Sequence, residues 1–505
     1  MALADSTVNL KIRNLKTRIQ NPIADRYALP MLMVTTALSA IIYAWALTRP
    51  ISLIEYGARP LFDLYRYAKI DPAILLKVVI AFIALGGLYW LGWRAALRAH
   101  DRRAWLIVIG GVLVFGAALL LMYPYDAADI FDNIMRGRMN SVYGANPFHD
   151  IPAQFKNDPF YRYVAWDYAV SAYGPLWESL ASFITRVAGD GLMANVVAFK
   201  LMLGAFWAGS AVLIALIMRR IAPDRALAAV VLFAWNPIGL YETIGQGHND
   251  ITLVFWVLLA TWLLIERRYT LAIIAVIAGA LFKYIPLLLI PAALLIAWRD
   301  LASLRARLRF LVLTVLISGA LIAVAFAPFW RGTDTLSVER RAHLFTTSLP
   351  AVIYVSLIPS LDKDAAGNQV ALITAGVTAI FALAQGLRAW RDRSALSFAR
   401  SAFYILMFYL LIACLWFQQW YAIWPLGFAA LLSPGHAARL GALFSYTAQT
   451  KPLIFAPLFL WVRPLPPASA IEPLFGPLVM AIAWAYAAFA IWAAFKQSRS
   501  KRGRM

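Results

Sequence analysis

Three acidic side chains at spacings of three residues are the strongest chemical feature of this 505-residue sequence. Asp126, Asp129 and Asp132 follow an apolar run long enough to cross a bilayer, and on a helix they would share one face with Arg136. One carboxylate could act as a general base, with Arg136 or Arg138 partly neutralising the cluster. The structural alternative is that Asp126 caps the helix and Asp129 stands in its first turn. Two of the carboxylates could also hold a divalent cation such as Mg²⁺ or Mn²⁺.

Two further polar motifs stand at the ends of apolar runs. Segment 245–250, Gly-Gln-Gly-His-Asn-Asp, has two glycines that suit a tight turn. His248 could donate to a phosphate or a sugar hydroxyl, or it could be an ordinary interfacial histidine. Asn249 or Asp250 is expected to cap the next helix. Lys283 stands in an apolar run, where an ammonium group either snorkels to the interface or compensates the charge of a phosphate.

Two segments, 173–178 and 418–425, are rich in tryptophan and tyrosine. Such rings form belts at membrane interfaces, a role that involves neither catalysis nor substrate binding. The alternative is that they stack on a sugar face while Gln418 and Gln419 bind its hydroxyl groups.

The composition predicts the kind of protein that must position these side chains. The chain is 62% hydrophobic and only 14% charged, with a mean hydropathy of +0.70, whereas soluble domains are about 45–50% apolar and about 25% charged. Many apolar runs approach the ~20 residues that span a bilayer, and the period-two alternation of a membrane barrel is absent. We expect an all-α, polytopic membrane protein. The single cysteine, Cys414, excludes an intramolecular disulfide.

The net charge of +21 does not indicate nucleic-acid binding, because the basic residues cluster in short gaps between apolar runs and follow the positive-inside rule. Charge alone then predicts one integral membrane domain of about 11–13 transmembrane helices. Its basic ends, 1–28 and 496–505, are expected to be cytoplasmic, and the polar interval 125–173 extracytoplasmic. The predicted crossings include 29–49, 72–93, 104–124, 192–218, 226–243, 250–266, 310–328, 369–387 and 401–417.

Two segments depart from simple crossings. The stretch 174–189 is predicted to be a helix that lies on or dips into the outer face. The run 270–298 is too long for one crossing and predicts a hairpin or broken helix pair with Lys283 directed outward. This topology collects the unusual polar motifs on one face, although none of them was used to set it. We therefore expect an extracytoplasmic active site.

An ordered set of short motifs resembles the GT-C superfamily of membrane glycosyltransferases, which take sugar from a polyprenyl-phosphate donor. The similarity is greatest to bacterial polyprenyl-phosphate-mannose-dependent α-mannosyltransferases of lipoglycan assembly. The motifs are Asp129-Ile-Phe-Asp132 with Gly137, Tyr143-Gly-Ala-Asn-Pro147, Tyr173-Gly-Pro-Leu-Trp177, Trp235-Asn-Pro237, Gly247-His-Asn-Asp250, Phe282-Lys-Tyr284 and Gln419-Trp-Tyr421. They run in order over residues 123 to 425.

The resemblance implies a GT-C-like fold and a hexosyltransferase of the bacterial plasma membrane. It implies that an Asp on the first large outer loop is the base, and the spacing to Gly137 indicates Asp129. The donor would be a polyprenyl-phosphate sugar, the acceptor a hydroxyl of a cell-envelope glycan or glycolipid, and the displacement inverting. Asp126 is then interpreted as a helix cap, and Asp132 as a partner of Arg136 or a support for the acceptor.

Around the phosphate we expect Lys283, His248 and one of three outer-loop arginines. The full set of predicted substrate-binding residues is Arg136, Arg138, Tyr173, Trp177, His248, Asn249, Asp250, Lys283, Tyr284, Arg331, Arg340, Arg341, Gln419, Trp420 and Tyr421. Two other functions remain open. A transporter or flippase of lipid-linked sugars would show inverted repeats and charges near the bilayer midplane, and a glycan polymerase or ligase would use an oligosaccharide donor.

Overall fold

The computed structural model describes residues 26–60, 64, 71–336, 344–453 and 468–502. Most of the basic N-terminal stretch, together with Arg340, Arg341 and the last three residues of the tail, lies outside the described residues. All regular secondary structure in the described ranges is helical, apart from one β-bridge between Ser52 and Met122. The helices of nine or more residues are α1 (Ala28–Ile42), α2 (Pro72–Ala96), α3 (Arg102–Leu120), α4 (Asp129–Ser141), α5 (Pro175–Ala188), α6 (Leu192–Ile221), α7 (Ala226–Ala234), α8 (Ile251–Ile265), α9 (Tyr269–Ala280), α10 (Ile290–Asp300), α11 (Leu304–Phe326), α12 (Leu349–Leu357), α13 (Lys363–Arg391), α14 (Ser397–Phe408), α15 (Ile423–Leu431), α16 (His436–Ala448) and α17 (Ala468–Arg502).

Within the described ranges, seven helical segments are long and apolar enough to cross a membrane. They are Ala28–Ile51, Pro72–Ala96, Arg102–Leu120, Leu192–Ile221, Leu304–Phe329, Lys363–Arg391 and Gly476–Ala493. An eighth candidate is bent by 52° between Pro223–Ala234 and Pro237–Gly245. Three shorter apolar helices cover Ile251–Ile265, Tyr269–Ala280 and Ser397–Ala413. The predicted all-α, polytopic class is confirmed. The number of crossings stays a prediction, because two of these shorter helices fall below the ~17–25 residues of a typical span and Ser397–Ala413 only reaches its lower limit.

The two segments that depart from simple crossings are helical as predicted. α5 occupies most of the predicted 174–189 helix and is not among the candidate spans. The run 270–298 is broken, because α9 ends at Ala280 and a 3₁₀ turn over Ile285–Leu289 precedes α10. Lys283 stands in this break.

The chain that joins α3 to α4 is held at several points. The backbone N–H of Leu53 donates to the carbonyl of Leu121 at 2.7 Å, and that of Tyr123 donates to the carbonyl of Ile51 at 2.8 Å. In addition, the ammonium group of Lys200, fully buried in α6, donates to the carbonyls of Leu120 and Met122. These carbonyls at the end of α3 have no partner within their own helix, so a buried cation there is well placed. The connection therefore enters α4 from a fixed position.

α4 and α5 pack closely, and a glycine permits it. A Cβ atom at Gly137 would lie only 2.6 Å from the carbonyl oxygen of Ala181, so a larger residue would push the helices apart. Ser182 donates to Asn140 Oδ1 at 2.7 Å across the same contact. Gly137, a motif residue of the resemblance, thus serves helix packing. α4 is held between α5 and the chain that leaves α3.

Candidate active site

A cavity of about 850 Å³ lies beside the first turns of α4. Its wall also includes segment 168–173, the break between α9 and α10, and the chain from residue 416 to 421 that precedes α15. The predicted site residues that line it are Asp126, Asp129, Asp132, Arg136, Tyr173, Lys283, Tyr284, Gln419, Trp420 and Tyr421. Motifs up to 295 residues apart in the chain therefore meet in one place.

Asp129 is the first residue of α4, and its carboxylate faces the cavity. The part of the chain that the structure describes offers this carboxylate no hydrogen bond and no ion pair. Burial raises the pKa of Asp129, and the nearby His248 opposes this shift. A carboxylate with a raised pKa and no protein partner is suited to accept a proton from a ligand in the cavity.

Asp126 does not cap α4, so that interpretation was wrong. The cap position belongs to Ala128, and Asp126 lies in the preceding chain. Its backbone N–H donates to Gln246 Oε1 at 2.9 Å, and its Oδ2 accepts from Gln449 Nε2 at 3.3 Å. Burial, followed by the negative charge of Glu242, raises the pKa of Asp126 to about 7. Asp126 is therefore a second carboxyl of the cavity, and the three acids do not all share a helical face.

Asp132 and Arg136 form the predicted pair, with Oδ1 and Nη1 4.0 Å apart and both side chains buried. Each also binds the backbone of the segment that follows α4. The N–H of Trp166 donates to Asp132 Oδ1 at 3.0 Å, and the N–H of Ala165 donates to Oδ2 at 3.4 Å. Arg136 Nη2 donates to the carbonyl of Ala169 at 3.2 Å. The pair lines the cavity and also fixes segment 165–169 against α4.

The loop 245–250 packs on α4 from the other side. Gly247 has a φ of +80°, which glycine adopts without strain, and a Cβ atom there would lie 2.4 Å from Ile130 Cδ1. This contact buries His248, whose ring stacks on Trp420 with centroids 3.8 Å apart. His248 Nδ1 lies 2.9 Å from Glu242 Oε2. Burial lowers the pKa of His248.

His248 does not line the cavity, so its contact with phosphate stays a prediction. Trp420 lines the cavity, and the buried imidazole of His248 stacks on this ring. In the structure His248 therefore supports a wall residue. Asn249 is also buried and does not line the cavity.

The buried Asp250 and the partly exposed Lys283 form an ion pair, with Oδ1 and Nζ 2.7 Å apart. Trp424 Nε1 donates to the same carboxylate. Asp250 occupies the N-cap position of α8, as predicted for Asp250 or Asn249, but its side chain makes no capping hydrogen bond. The ammonium group of Lys283 also lies 4.5 Å from the ring centroid of Tyr421, an arrangement typical of a cation–π contact. Lys283 does not snorkel, because the pair and the ring hold it at the cavity wall.

Three predicted substrate-binding residues contact other protein groups outside the cavity. Arg138 is buried and pairs with Asp158 at 2.9 Å and Asp190 at 2.8 Å, so its charge is already compensated away from the cavity. Trp177 is fully buried and donates to Asn133 Oδ1 at 3.1 Å. Arg331 is half exposed and lies 3.9 Å from Asp150. None of the three lines the cavity.

The cavity also contains residues that sequence reasoning missed. Lys451 follows α16, is buried, and donates from Nζ to Gln418 Oε1 at 2.7 Å. An isolated lysine in an apolar stretch could have revealed it, as it did for Lys283. Trp166, Tyr168 and Trp416 also line the cavity.

Within the described ranges, no group of three or more His, Cys, Asp or Glu residues converges on one point. A Mg²⁺ ion is often held by only one or two carboxylates together with substrate phosphate and water. A divalent cation held by two carboxylates of the acidic cluster therefore stays a prediction, and no step of the reaction is derived through it.

Comparison with known proteins gives two matches. Residues 30–299 match the family described as alpha-(1->6)-mannopyranosyltransferase, N-terminal domain. This range runs from α1 into α10 and includes the acidic cluster, loop 245–250 and Lys283. A curated relative, alpha-(1->6)-mannopyranosyltransferase A of Corynebacterium glutamicum, is 24% identical over 190 residues, which are 37% of this chain. The match spans 38% of the length of that relative.

Proposed function

The chain belongs to the alpha-(1->6)-mannopyranosyltransferase family, and from this premise we propose that it transfers a mannosyl group from polyprenyl-phosphate-mannose to a hydroxyl of a cell-envelope glycan or glycolipid. The observation that carries the proposal is the carboxylate of Asp129, which has no hydrogen bond or ion pair among the described residues, in a cavity that also contains the ammonium group of Lys283. A base and a cation in one cavity are what displacement of a phosphate by a hydroxyl requires.

Asp129 is the general base of this reaction. As the acceptor oxygen attacks the anomeric carbon, its proton passes to the carboxylate of Asp129. The bond between the anomeric carbon and the phosphate oxygen breaks, and its electron pair leaves with the polyprenyl phosphate. A single displacement of this kind inverts the anomeric configuration. The raised pKa of Asp129 improves its match to neutral pH.

Lys283 stabilises the leaving phosphate. Its ammonium group lines the cavity while Asp250 and the ring of Tyr421 fix its position. A cation that is already oriented needs no rearrangement when negative charge develops on the leaving oxygen. Asp250 and Tyr421 act on the reaction by holding Lys283.

We place the cavity on the extracytoplasmic side of the membrane. α3 begins next to the basic gap 94–103, and its other end leads to α4 and the cavity. α6 has Arg219 and Arg220 in its last turn, and its other end follows α5. Apart from the buried Lys200 of α6, both helices thus carry their positive charge at the end remote from the cavity, as the positive-inside rule expects for cytoplasmic ends.

Purified protein in lipid vesicles, supplied with polyprenyl-phosphate-mannose and candidate glycolipid acceptors, tests the proposal. Mass spectrometry of the products distinguishes addition of one mannose from transfer of a preformed glycan, and donor movement without product would indicate a transporter. We expect Asp129→Asn to lower transfer at least about 100-fold. The matched control is Asp224→Asn, at an exposed aspartate in the inner gap between α6 and α7. Full transfer by Asp129→Asn would remove the base from the proposal.

A further inference from the structure

Three aromatic side chains of the cavity form a continuous surface, which we call the aromatic shelf: Trp166, Tyr168 and Trp416. The ring centroids of Trp166 and Tyr168 are 5.8 Å apart, and those of Trp166 and Trp416 are 5.9 Å apart. Tyr168 is 67% exposed, and the two tryptophans are partly exposed. The shelf is thus a wall of the cavity that an incoming molecule can reach.

The backbone beneath the shelf is held in place by charge. The buried Asp132 accepts from the N–H groups of Ala165 and Trp166, and the buried Arg136 donates to the carbonyl of Ala169. These bonds fix both ends of segment 165–169, which carries two of the three rings. Hydrogen bonds to charged groups contribute more to rigidity than neutral ones. The fold therefore presents Trp166 and Tyr168 in a defined position.

The other aromatic rings of the cavity are used differently. His248 stacks on the ring of Trp420, and Trp424 stacks on the ring of Tyr421 with centroids 4.3 Å apart. Lys283 also lies near the ring of Tyr421. These rings contact His248 and Lys283. Two further cations line the cavity, Arg136 and Lys451, and both are bonded to backbone carbonyls, Arg136 to that of Ala169 and Lys451 to that of Phe417.

We propose that the aromatic shelf binds the sugar ring of the acceptor, an inference that rests on the proposed function. One face of a pyranose consists of C–H bonds and packs against the electron-rich face of an aromatic ring. A neutral ligand of this kind suits the shelf, because two cations of the neighbouring wall, Arg136 and Lys451, are already bonded to protein oxygens. Asp132 stands one helical turn after Asp129, so the shelf is anchored next to the base. An acceptor sugar on the shelf can bring its hydroxyl group to Asp129.

Kinetic analysis of reconstituted variants tests the shelf. For Trp166→Ala, Tyr168→Ala and Trp416→Ala we expect the KM for the acceptor to rise about tenfold, corresponding to loss of one aromatic contact. The kcat at saturating acceptor and the KM for polyprenyl-phosphate-mannose should stay within about twofold. Trp166→Phe, which keeps a ring, should recover most of the acceptor KM. The matched control is Trp330→Ala, because Trp330 is 52% exposed but does not line the cavity.

A binding measurement tests the affinity of the shelf for sugar independently of mannosyl transfer. Titration of the wild-type protein with α-1,6-linked mannobiose should quench tryptophan fluorescence, and Tyr168→Ala, a change at an exposed side chain, should weaken this binding about tenfold. If transfer and binding persist with unchanged acceptor affinity in all three alanine variants, the shelf proposal is overturned and the proposed function stands. A rise in the donor KM instead would assign the shelf to the donor and also overturn it. If the wild-type protein binds mannobiose through the shelf but transfers no mannose, the proposed function alone fails.

Discussion

The first turn of α4 and the loop 245–250 are both polar segments with carboxylates, but they face different surroundings. Both combine carboxylates with other polar groups next to an apolar helix. In α4, the carboxylate of Asp129 faces the cavity without a partner in the described ranges. In the loop, His248 and Asp250 bind protein groups that in turn line the cavity. A polar motif at a membrane surface can thus supply either the reacting group or the support behind it, and only the packing distinguishes the two.

The largest effect is expected where the two regions meet, at Lys283. Lys283→Met should lower kcat by about 10²–10³-fold, because the leaving phosphate loses its preorganised cation. This should be measured as single-turnover transfer in vesicles. The double variant Lys283→Met/Asp250→Asn leaves no unpaired buried charge, and its kcat should be as low as that of Lys283→Met.

The control for Lys283→Met is Lys156→Met, since Lys156 is exposed and does not line the cavity. Transfer by the control should match the wild type. If the double variant transferred like wild type, neither Lys283 nor Asp250 would be a reacting group, and the loss in Lys283→Met would come from the unpaired carboxylate of Asp250.

A smaller effect is expected at His248, because it supports Trp420 without lining the cavity. His248→Phe keeps a flat ring against Trp420 and should retain transfer within about fivefold of wild type, whereas His248→Ala should lose about tenfold through the lost stacking. The measurement is kcat/KM for the donor. A loss in His248→Phe as large as in Lys283→Met would mean that the imidazole itself contacts the phosphate.

The smallest effect is expected in stability, at Asp126. Because the pKa of Asp126 is raised from 3.8 to about 7, the folded state holds a proton that the unfolded chain releases. Stability from this group is present at low pH and is lost as the pH rises toward 7. The apparent Tm of Asp126→Asn in detergent should therefore exceed that of wild type by a margin that grows between about pH 4 and 7 and then levels off.

A matched control for the pH experiment is Asp224→Asn, which removes an exposed carboxylate. Its difference in Tm from wild type should not depend on pH over this interval. If the difference in Tm between Asp126→Asn and wild type shrank with rising pH, the folded state would favour the ionised form of Asp126. Asp126 would then resemble the ion-paired Asp250 of loop 245–250 more than it resembles Asp129.

The architecture was predictable because apolar length and the placement of arginine and lysine are properties of the chain itself. The break around Lys283 was also predictable, since a lysine and a proline interrupt one overlong run. The acidic cluster stood out because acids are rare in this composition. Within the cluster, Asp129 was indicated by the resemblance, through its spacing to Gly137, and its role as the base stays a prediction.

The direction of individual side chains was not predictable. Arg138 and Arg136 are two residues apart, yet one pairs with Asp158 and Asp190 while the other faces the cavity. These partners lie in segments that are distant in the sequence, so no local sequence pattern predicts the pairing. Trp166 was missed because a tryptophan in an outer loop is typical of an interfacial belt.

The ammonium group of Lys200 has a consequence for how the protein is made. A lysine inside a membrane span is costly in lipid, and here the carbonyls at the end of α3 accept its hydrogen bonds. We expect α6 without α3 to leave this amine without partners in hydrocarbon. Association of the two helices is therefore expected to be favoured as the protein assembles in the membrane, and the same contact anchors the chain that carries Asp126 and Asp129.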